Sequence, residues 1–250
     1  MRCWSGSTPR PLTWTSTRHC SRARAAWTSF GFLLRAAASR LLDVEPSELR
    51  VGVFPQPDAN GGVTGAAFLA DSLDNGAGYA TYLGDHPDVL LAAARDLAED
   101  YLAHAGGPDG CDSSCYRCLR DHSNAAYHPL LDWRLAVDLL NLGDGGDISV
   151  TQSDTLARSL IADFCTNFDW QPETASQVPA ASAHYPGGPG MLVCHPLERR
   201  RTPRSPRLET AVLALHNQGP GAEQRTFEVE TTYDLVRRPG VVWSRLATYL

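Results

Sequence analysis

The chain has 250 residues, enough for one large domain or two small ones, and its formal net charge at pH 7 is −6. All 22 of its basic residues are arginine. The absence of lysine excludes P-loop NTPases, Schiff-base enzymes and nucleases that depend on a lysine. The composition therefore predicts a protein that has no ATPase or nuclease activity of its own and is not an enzyme.

The first 28 residues are rich in arginine and serine, lack acidic residues and contain no hydrophobic segment typical of a secretory signal. We predict that residues 1–28 form a disordered extension. The whole sequence also lacks an apolar run long enough to cross a membrane, so we expect no membrane association and a cytoplasmic location. In that compartment, clustered cysteines favour a metal site over disulfide bonds.

The next segment has the hydrophobic pattern of a helix followed by a β-hairpin. Apolar residues repeat at helical spacing over 29–42, while alternation predicts a strand over 49–54 that returns over 63–71 after an Asn-Gly turn. The glycine-rich segment "NGAGY" (75–79) follows. Two interpretations of it stay open, a tight turn and a set of backbone amides that holds a phosphate.

Further helices and strands are predicted on both sides of a cysteine-rich loop. Pro87 can occupy the first position of a helix that ends at Gly106 and Gly107. The elements predicted after the loop are a helix opened by Pro129, a short strand "DISVT" (147–151), a helix capped by Ser153 or Asp154, a loop at about 171–189, strands "MLVCH" (191–195), "ETAVLALH" (209–216) and "FEVETTYDLV" (227–236), and a short helix near Val241.

This order of elements predicts an α+β fold, in which helices surround the cysteine-rich loop and accompany a small mixed or antiparallel sheet. We expect two folded regions after the extension. Residues 29–145 would form a zinc-binding domain, and residues 146–250 would form a C-terminal α+β extension.

The cysteine loop is the strongest functional motif in the sequence. Cys111, Cys115 and Cys118 have C-x3-C-x2-C spacing, and zinc prefers four tetrahedral ligands drawn from thiolate and imidazole. The loop offers three thiols, so the fourth ligand must come from elsewhere. The candidates are His128, His122, Cys165 and Cys194. His128 is preferred because it precedes the proline-opened helix, where the chain can fold back over the metal.

The segment "CDSSCYRCLRDHSNAAYHPLLDWRLAVDLL" (111–140) resembles the cysteine segment of the MrfA-type zinc-binding domain, which occurs in MrfA-type DNA-repair helicases and DrmB-type phage-defence proteins. The matching positions are Cys115, Cys118, Leu119, Asn124, His128, Leu131 and Asp132. Upstream, Asp71, Asn75, Gly76, Gly78 and Tyr79 resemble the D-x-x-x-G-G-x-G-Y stretch of that domain. The resemblance spans about 65–142. Relatives often have four cysteines where this chain has three.

The resemblance implies a zinc-binding accessory module of a DNA helicase or of a DNA-processing or phage-defence system. Such a module would aid engagement of nucleic acid or of a partner, without its own motor. Its expected partners are a helicase or other DNA-processing subunit and DNA. The alternatives are a zinc-stapled interaction domain and a hydrolase that uses Cys194 and His195. The residues predicted to contact nucleic acid are Arg199, Arg200, Arg201, Arg204 and Arg207.

Overall fold

The structure is a computed structural model, and the residues it describes are 21–57, 63–107, 110–173, 178–198, 200, 204–217 and 226–249. The chain divides into two compact units, Met1–Ile148 and Ser149–Leu250. Each unit combines helices with a small sheet, so the predicted α+β fold is confirmed. Within the described ranges, no helix has both the length and the apolar character that a membrane span requires.

The first helix, α1, spans Ser21–Leu42 and begins earlier than the sequence analysis predicted. The prediction of a disordered extension over 1–28 is therefore wrong for residues 21–28, and the remainder of that extension lies outside the described residues. Alanine and arginine dominate these first turns and favour a helix. Trp27 is buried and meets Phe30 edge to face at 5.9 Å between ring centroids, so the early turns also pack into the core.

A two-stranded antiparallel sheet packs against α1. Its strands are β1, Leu49–Pro57, and β2, Val63–Asp71, with Leu49 opposite Asp71. The predicted range of the second strand is confirmed, and the first strand is longer than predicted. Gly65 of β2 lies so close to Trp27 that an added Cβ would stand 2.2 Å from the indole ring. The sheet and the helix can therefore approach closely only because this residue has no side chain.

Gly65→Ala is expected to lower the free energy of unfolding by about 1–3 kcal/mol, because the new methyl group would overpack the contact with Trp27. The control is Gly84→Ala in helix α2, Tyr79–Asp85, where an added Cβ would meet nothing within 4 Å. Urea denaturation of both variants measures the difference. Equal midpoints for the two variants would show that the contact between α1 and β2 is not tight.

Helices α3, Pro87–Ala105, and α4, Trp133–Gly143, flank the cysteine loop. A 3-10 segment, His122–Leu130, separates the loop from α4 and contains Pro129. The prediction that Pro129 opens a helix is therefore wrong. The N-terminus of α4 is set instead by Asp132, whose carboxylate accepts a hydrogen bond from the Arg134 amide at 3.0 Å.

The second unit is built on a mixed four-stranded sheet. Its elements are α5 (Val150–Phe168), β3 (Gln171–Pro172), β4 (Ala181–His184), β5 (Gly190–Cys194), α6 (Pro206–His216), β6 (Phe227–Thr231), α7 (Thr232–Arg237) and α8 (Pro239–Leu246). The strand order is β3-β4-β5-β6. Only the β5–β6 pair is parallel, and the other two pairs are antiparallel.

Three predictions for this unit are wrong. The predicted strand 209–216 lies in α6, because Leu208, Ala211 and Leu215 form a buried face at helical spacing and a parallel strand pair needs a crossover connection. The predicted strand 147–151 runs into α5, which begins at Val150, so Ser153 and Asp154 lie within this helix rather than at its cap. The predicted loop over 171–189 contains β3 and β4.

Candidate metal centre

The cysteine loop forms a tight turn that points backbone N–H groups at sulfur. The Cys115 carbonyl accepts hydrogen bonds from the amides of Cys118 and Arg120, at 3.1 and 3.0 Å. The Cys115 amide lies 3.1 Å from the Cys118 Sγ, and the Arg117 amide lies 3.4 Å from the Cys115 Sγ. Amides in this arrangement stabilise thiolates, which are the form of cysteine that binds a metal.

Four donor atoms converge beside this turn. The Cys118 Sγ is 3.7 Å from the Sγ atoms of both Cys111 and Cys115. The His104 Nε2 is 3.2 Å from the Cys115 Sγ, and the ligand atoms of His104, Cys111 and Cys115 all lie within 4.8 Å of one another. Tetrahedral zinc, with bonds of about 2.3 Å to sulfur and about 2.0 Å to nitrogen, separates its ligand atoms by roughly 3.5–3.8 Å. The spacing of the sulfur atoms fits zinc, and His104 is the candidate fourth ligand because its nitrogen lies within 4.8 Å of the Cys111 and Cys115 sulfurs, although that close group does not include Cys118.

The thiols also have the electrostatics of a cation site. Burial raises the pKa of Cys111, and the nearby Cys118 raises it further. Burial also raises the pKa of Cys118. At Cys115, hydrogen bonds led by the Arg117 amide outweigh the effect of burial and lower the pKa. Three thiolates this close repel one another, so their simultaneous ionisation needs a bound cation.

His104, which the sequence analysis missed, is the candidate for the fourth ligand. It lies in the last turn of α3 and follows the buried positions Leu90, Leu97 and Tyr101 on one face of that helix. The Tyr101 hydroxyl donates a hydrogen bond to the Cys118 carbonyl at 3.1 Å, which ties this face to the loop. The apolar stripe of this helix was a sequence signal for His104, because His104 lies three residues after Tyr101 and therefore on the same helical face.

His128, the preferred fourth ligand in the sequence analysis, is directed elsewhere. Its Nε2 lies 2.8 Å from the Asn124 Oδ1 and 3.1 Å from the Asp121 carbonyl oxygen. Both partners are acceptors, so this nitrogen must carry a proton and cannot bind a metal ion. The imidazole instead fastens the 3-10 segment, and His104 is the histidine that lies against a loop sulfur.

The other candidates for the fourth ligand have different surroundings. His122 is exposed and lies beside Tyr116, with 5.4 Å between ring centroids and the ring planes tilted by 42°. Cys165 and Cys194 are buried in the apolar core of the second unit. Their surroundings are those of small hydrophobic residues rather than of metal ligands.

Helices α1 and α4 hold the loop from outside. The Trp133 indole N–H donates to the Cys111 carbonyl at 3.2 Å, and the Trp133 amide donates to the Ser113 carbonyl at 2.8 Å. Arg35 of α1 is buried and forms an ion pair with Asp121, whose carboxylate caps the 3-10 segment. The metal ligands therefore lie on a support made of three helices.

In the glycine-rich segment at 75–79, the amides of Gly76 and Gly78 are already hydrogen-bonded within the chain. The Asp71 carboxylate accepts hydrogen bonds from the amides of Gly78 and Ala80, at 2.8 and 2.9 Å. Gly76 and Gly78 have positive φ values of 66° and 86°, which favour glycine. The segment is thus a tight turn closed by an aspartate, and the phosphate-binding interpretation is not supported.

The arginine run is engaged largely in internal ion pairs. Arg200 donates to the Val229 carbonyl at 3.1 Å and to the Glu230 carboxylate at 3.3 Å. Within the described part of the chain, the Arg204 guanidinium has one carboxylate partner, Glu209, at 3.8 Å. Arg199 and Arg201 lie outside the described residues.

Arg207 makes short contacts with two carboxylates and one carbonyl oxygen. It contacts the carboxylates of Glu198 and Asp154, at 2.6 and 2.9 Å, and the Pro179 carbonyl at 2.6 Å. Burial alone would raise the pKa of Glu198, but hydrogen bonds from Arg207 and Ser205 outweigh it and lower the pKa. The guanidinium groups of Arg200 and Arg207 pair with internal carboxylates, so their contact with nucleic acid stays a prediction that requires these ion pairs to open.

Known proteins provide a comparison for the first unit. Residues 30–119 match the family model of the MrfA Zn-binding domain. The matched range contains His104 and all three loop cysteines, so the resemblance seen in the cysteine motif is confirmed there. Over 141 residues the chain is 33% identical to the Druantia protein DruE of Escherichia coli. That alignment covers 52% of this chain and 7% of the relative. No solved structure shows a significant match.

Proposed function

We propose that the protein is a zinc-binding accessory module of a DNA-processing or phage-defence system. It would help that system to bind nucleic acid or a partner subunit, and it would have no motor of its own. The observation that carries the proposal is the convergence of His104, Cys111, Cys115 and Cys118 within the segment that matches the zinc-binding family.

The zinc ion would have a structural role. All four positions of a tetrahedral ion would be filled by protein atoms, which is typical of structural sites, whereas catalytic sites keep one position for water or substrate. Bound zinc would join the end of α3 to the loop that Trp133 of α4 holds. A surface on this loop would then be rigid enough to recognise a ligand.

The proposed context is a larger assembly. The chain spans 7% of the length of the Druantia protein that it matches. The partner we propose is a helicase or other DNA-processing subunit, which the resemblance of the cysteine segment implies. The lack of lysine supports the absence of an ATPase motor, since a P-loop requires that residue. The alternative of a Cys/His hydrolase is less favoured because Cys194 and His195 are both buried.

The test combines metal analysis with two binding assays. We expect about one zinc per chain, no ATP turnover by the pure protein, and either nucleic-acid binding or co-purification with a helicase subunit of the same system. If Arg199, Arg201 and Arg204 all met phosphates of duplex DNA, log K should fall against log[salt] with a slope near ~2.7. A slope near ~4–5 would require all five arginines, and would mean that the internal ion pairs open on binding.

A zinc-loaded protein that binds neither nucleic acid nor a helicase subunit would refute the proposed function. A zinc-stapled interaction domain with another partner would then be the better interpretation. ATP turnover that survives further purification would contradict the absence of a motor.

A further inference from the structure

Tyr116 is a large aromatic residue placed at the surface of the metal loop. It lies between the ligands Cys115 and Cys118, and 60% of its surface is exposed. Large aromatic side chains usually contribute to a core, and Tyr116 does not. An exposed tyrosine held between two metal ligands is a feature that the zinc site itself does not require.

Two imidazoles support the Tyr116 ring. Its centroid lies 5.4 Å from that of His122 and 5.7 Å from that of His128, which meets it edge to face. The backbone beneath the ring is fixed by the two amides that donate to the Cys115 carbonyl. The ring is thus held before any ligand arrives, so little side-chain entropy would be lost on binding.

The side chains around the ring have a less negative net charge than the chain as a whole. Arg117 is exposed beside Tyr116, and Arg120 is half-buried. Of the two nearby acids, Asp121 is neutralised by its ion pair with Arg35, which leaves Asp112 as an exposed carboxylate of the loop. An aromatic face with adjacent guanidinium groups suits a partner that has both flat rings and negative charge.

We propose that Tyr116, together with His122 and Arg117, forms a surface on which the bases of single-stranded nucleic acid stack. Unpaired bases expose their π faces, whereas a duplex hides them between neighbouring base pairs, so the ring selects single strands. Stacking does not depend on the identity of the base, so we expect little sequence preference. The inference rests on the proposed function and names the ligand and the contact.

The test measures the binding of a fluorescein-labelled oligothymidylate of about 12 nucleotides to the full zinc-loaded chain by fluorescence anisotropy. Tyr116→Ala should raise Kd by at least about fivefold, the ratio expected from the loss of one stacked base. Tyr116→Phe should stay within about twofold of the wild type, because the ring and not the hydroxyl makes the contact. Unlabelled duplex of the same length should compete poorly.

A second tyrosine of the same unit provides a matched control. Tyr82 is 43% exposed and stacks on His86 at 4.4 Å, but it lies on α2 and outside the metal loop. Tyr82→Ala should leave Kd unchanged. Zinc content is measured for every variant, and loss of zinc from Tyr116→Ala would overturn the proposal, because the effect would then come from a damaged loop.

Other results would also contradict the stacking surface. The proposal is wrong if the wild type does not bind oligothymidylate or if Tyr116→Ala binds it with the same Kd as the wild type. It is also wrong if unlabelled duplex competes as well as unlabelled single strand. These failures differ from failure of the proposed function. A zinc-loaded protein that ignores oligothymidylate but co-purifies with a helicase subunit would refute only the stacking surface.

Discussion

His104→Ala is expected to abolish stoichiometric zinc binding, whereas His128→Ala is expected to preserve it. The His104 imidazole lies 3.2 Å from the Cys115 sulfur, while the His128 Nε2 is hydrogen-bonded to the Asn124 side chain and the Asp121 carbonyl. Structural zinc supplies roughly 10–16 kcal/mol of apparent binding energy, which no single core contact matches. Loss of one ligand should therefore loosen the loop and its contacts with Tyr101 and Trp133.

Elemental analysis and titration of native thiols measure this effect. In the His104→Ala variant the loop thiols should become reactive, and zinc should fall well below one equivalent. His104→Cys should restore the metal, because a thiolate is an equally suitable zinc ligand and would give the four cysteines that are common in relatives. Zinc retained by His104→Ala and lost by His128→Ala would reverse the assignment.

Arg207→Ala should destabilise the second unit by about 3 kcal/mol. The substitution removes the guanidinium group that contacts two carboxylates and a carbonyl oxygen. The side chain of Glu198 is almost completely buried, and its negative charge would lose the arginine that compensates it. Breaking a buried ion pair costs more than the pair contributes, because the remaining charge is still desolvated. Arg204→Ala is the matched control from the same run, since its partner Glu209 is 3.8 Å away and largely solvated.

Urea denaturation near pH 7 compares the two variants, and Arg204→Ala should change stability by less than about 1 kcal/mol. The folded protein lowers the pKa of Glu198, so the contribution of this carboxylate is present above its unfolded pKa of about 4.3. It is lost as the pH falls through the lower folded-state value, and the effect of Arg207→Ala should shrink there. Equal stabilities for the two variants at neutral pH would show that Arg207 is not needed for the fold.

The parts of the fold that follow from local patterns could be predicted. The strand over 63–71 and the start of α3 at Pro87 agree with the structure because alternation and proline at the first helical turn are local signals. The strand predicted over 209–216 is instead part of α6, because its apolar residues fit both a short β pattern and a helix. The parallel pairing of β5 and β6, which makes a helix necessary there, is a long-range property that the sequence does not display.

The candidate metal site likewise combines local features, which the sequence displays, with long-range contacts, which it does not. Spacing alone indicated the three cysteines, because a C-x2-C turn is a local feature. His128 looked suitable from its place next to Pro129, but the fate of its nitrogen depends on Asn124 and Asp121, whose acceptors face it only in the folded chain. The arginine run likewise suggested an exposed basic surface, whereas Glu230 and Asp154, which pair with Arg200 and Arg207, are 30 and 53 residues away in sequence.

The proposed zinc ligands all come from one short stretch, His104 to Cys118. Closing such short loops costs little chain entropy compared with the contact between Arg35 and Asp121, which are 86 residues apart in sequence. The ligands can therefore gather around an ion as soon as this stretch leaves the ribosome, before α4 is complete. We expect the metal to act as a folding nucleus onto which α1 and α4 later assemble.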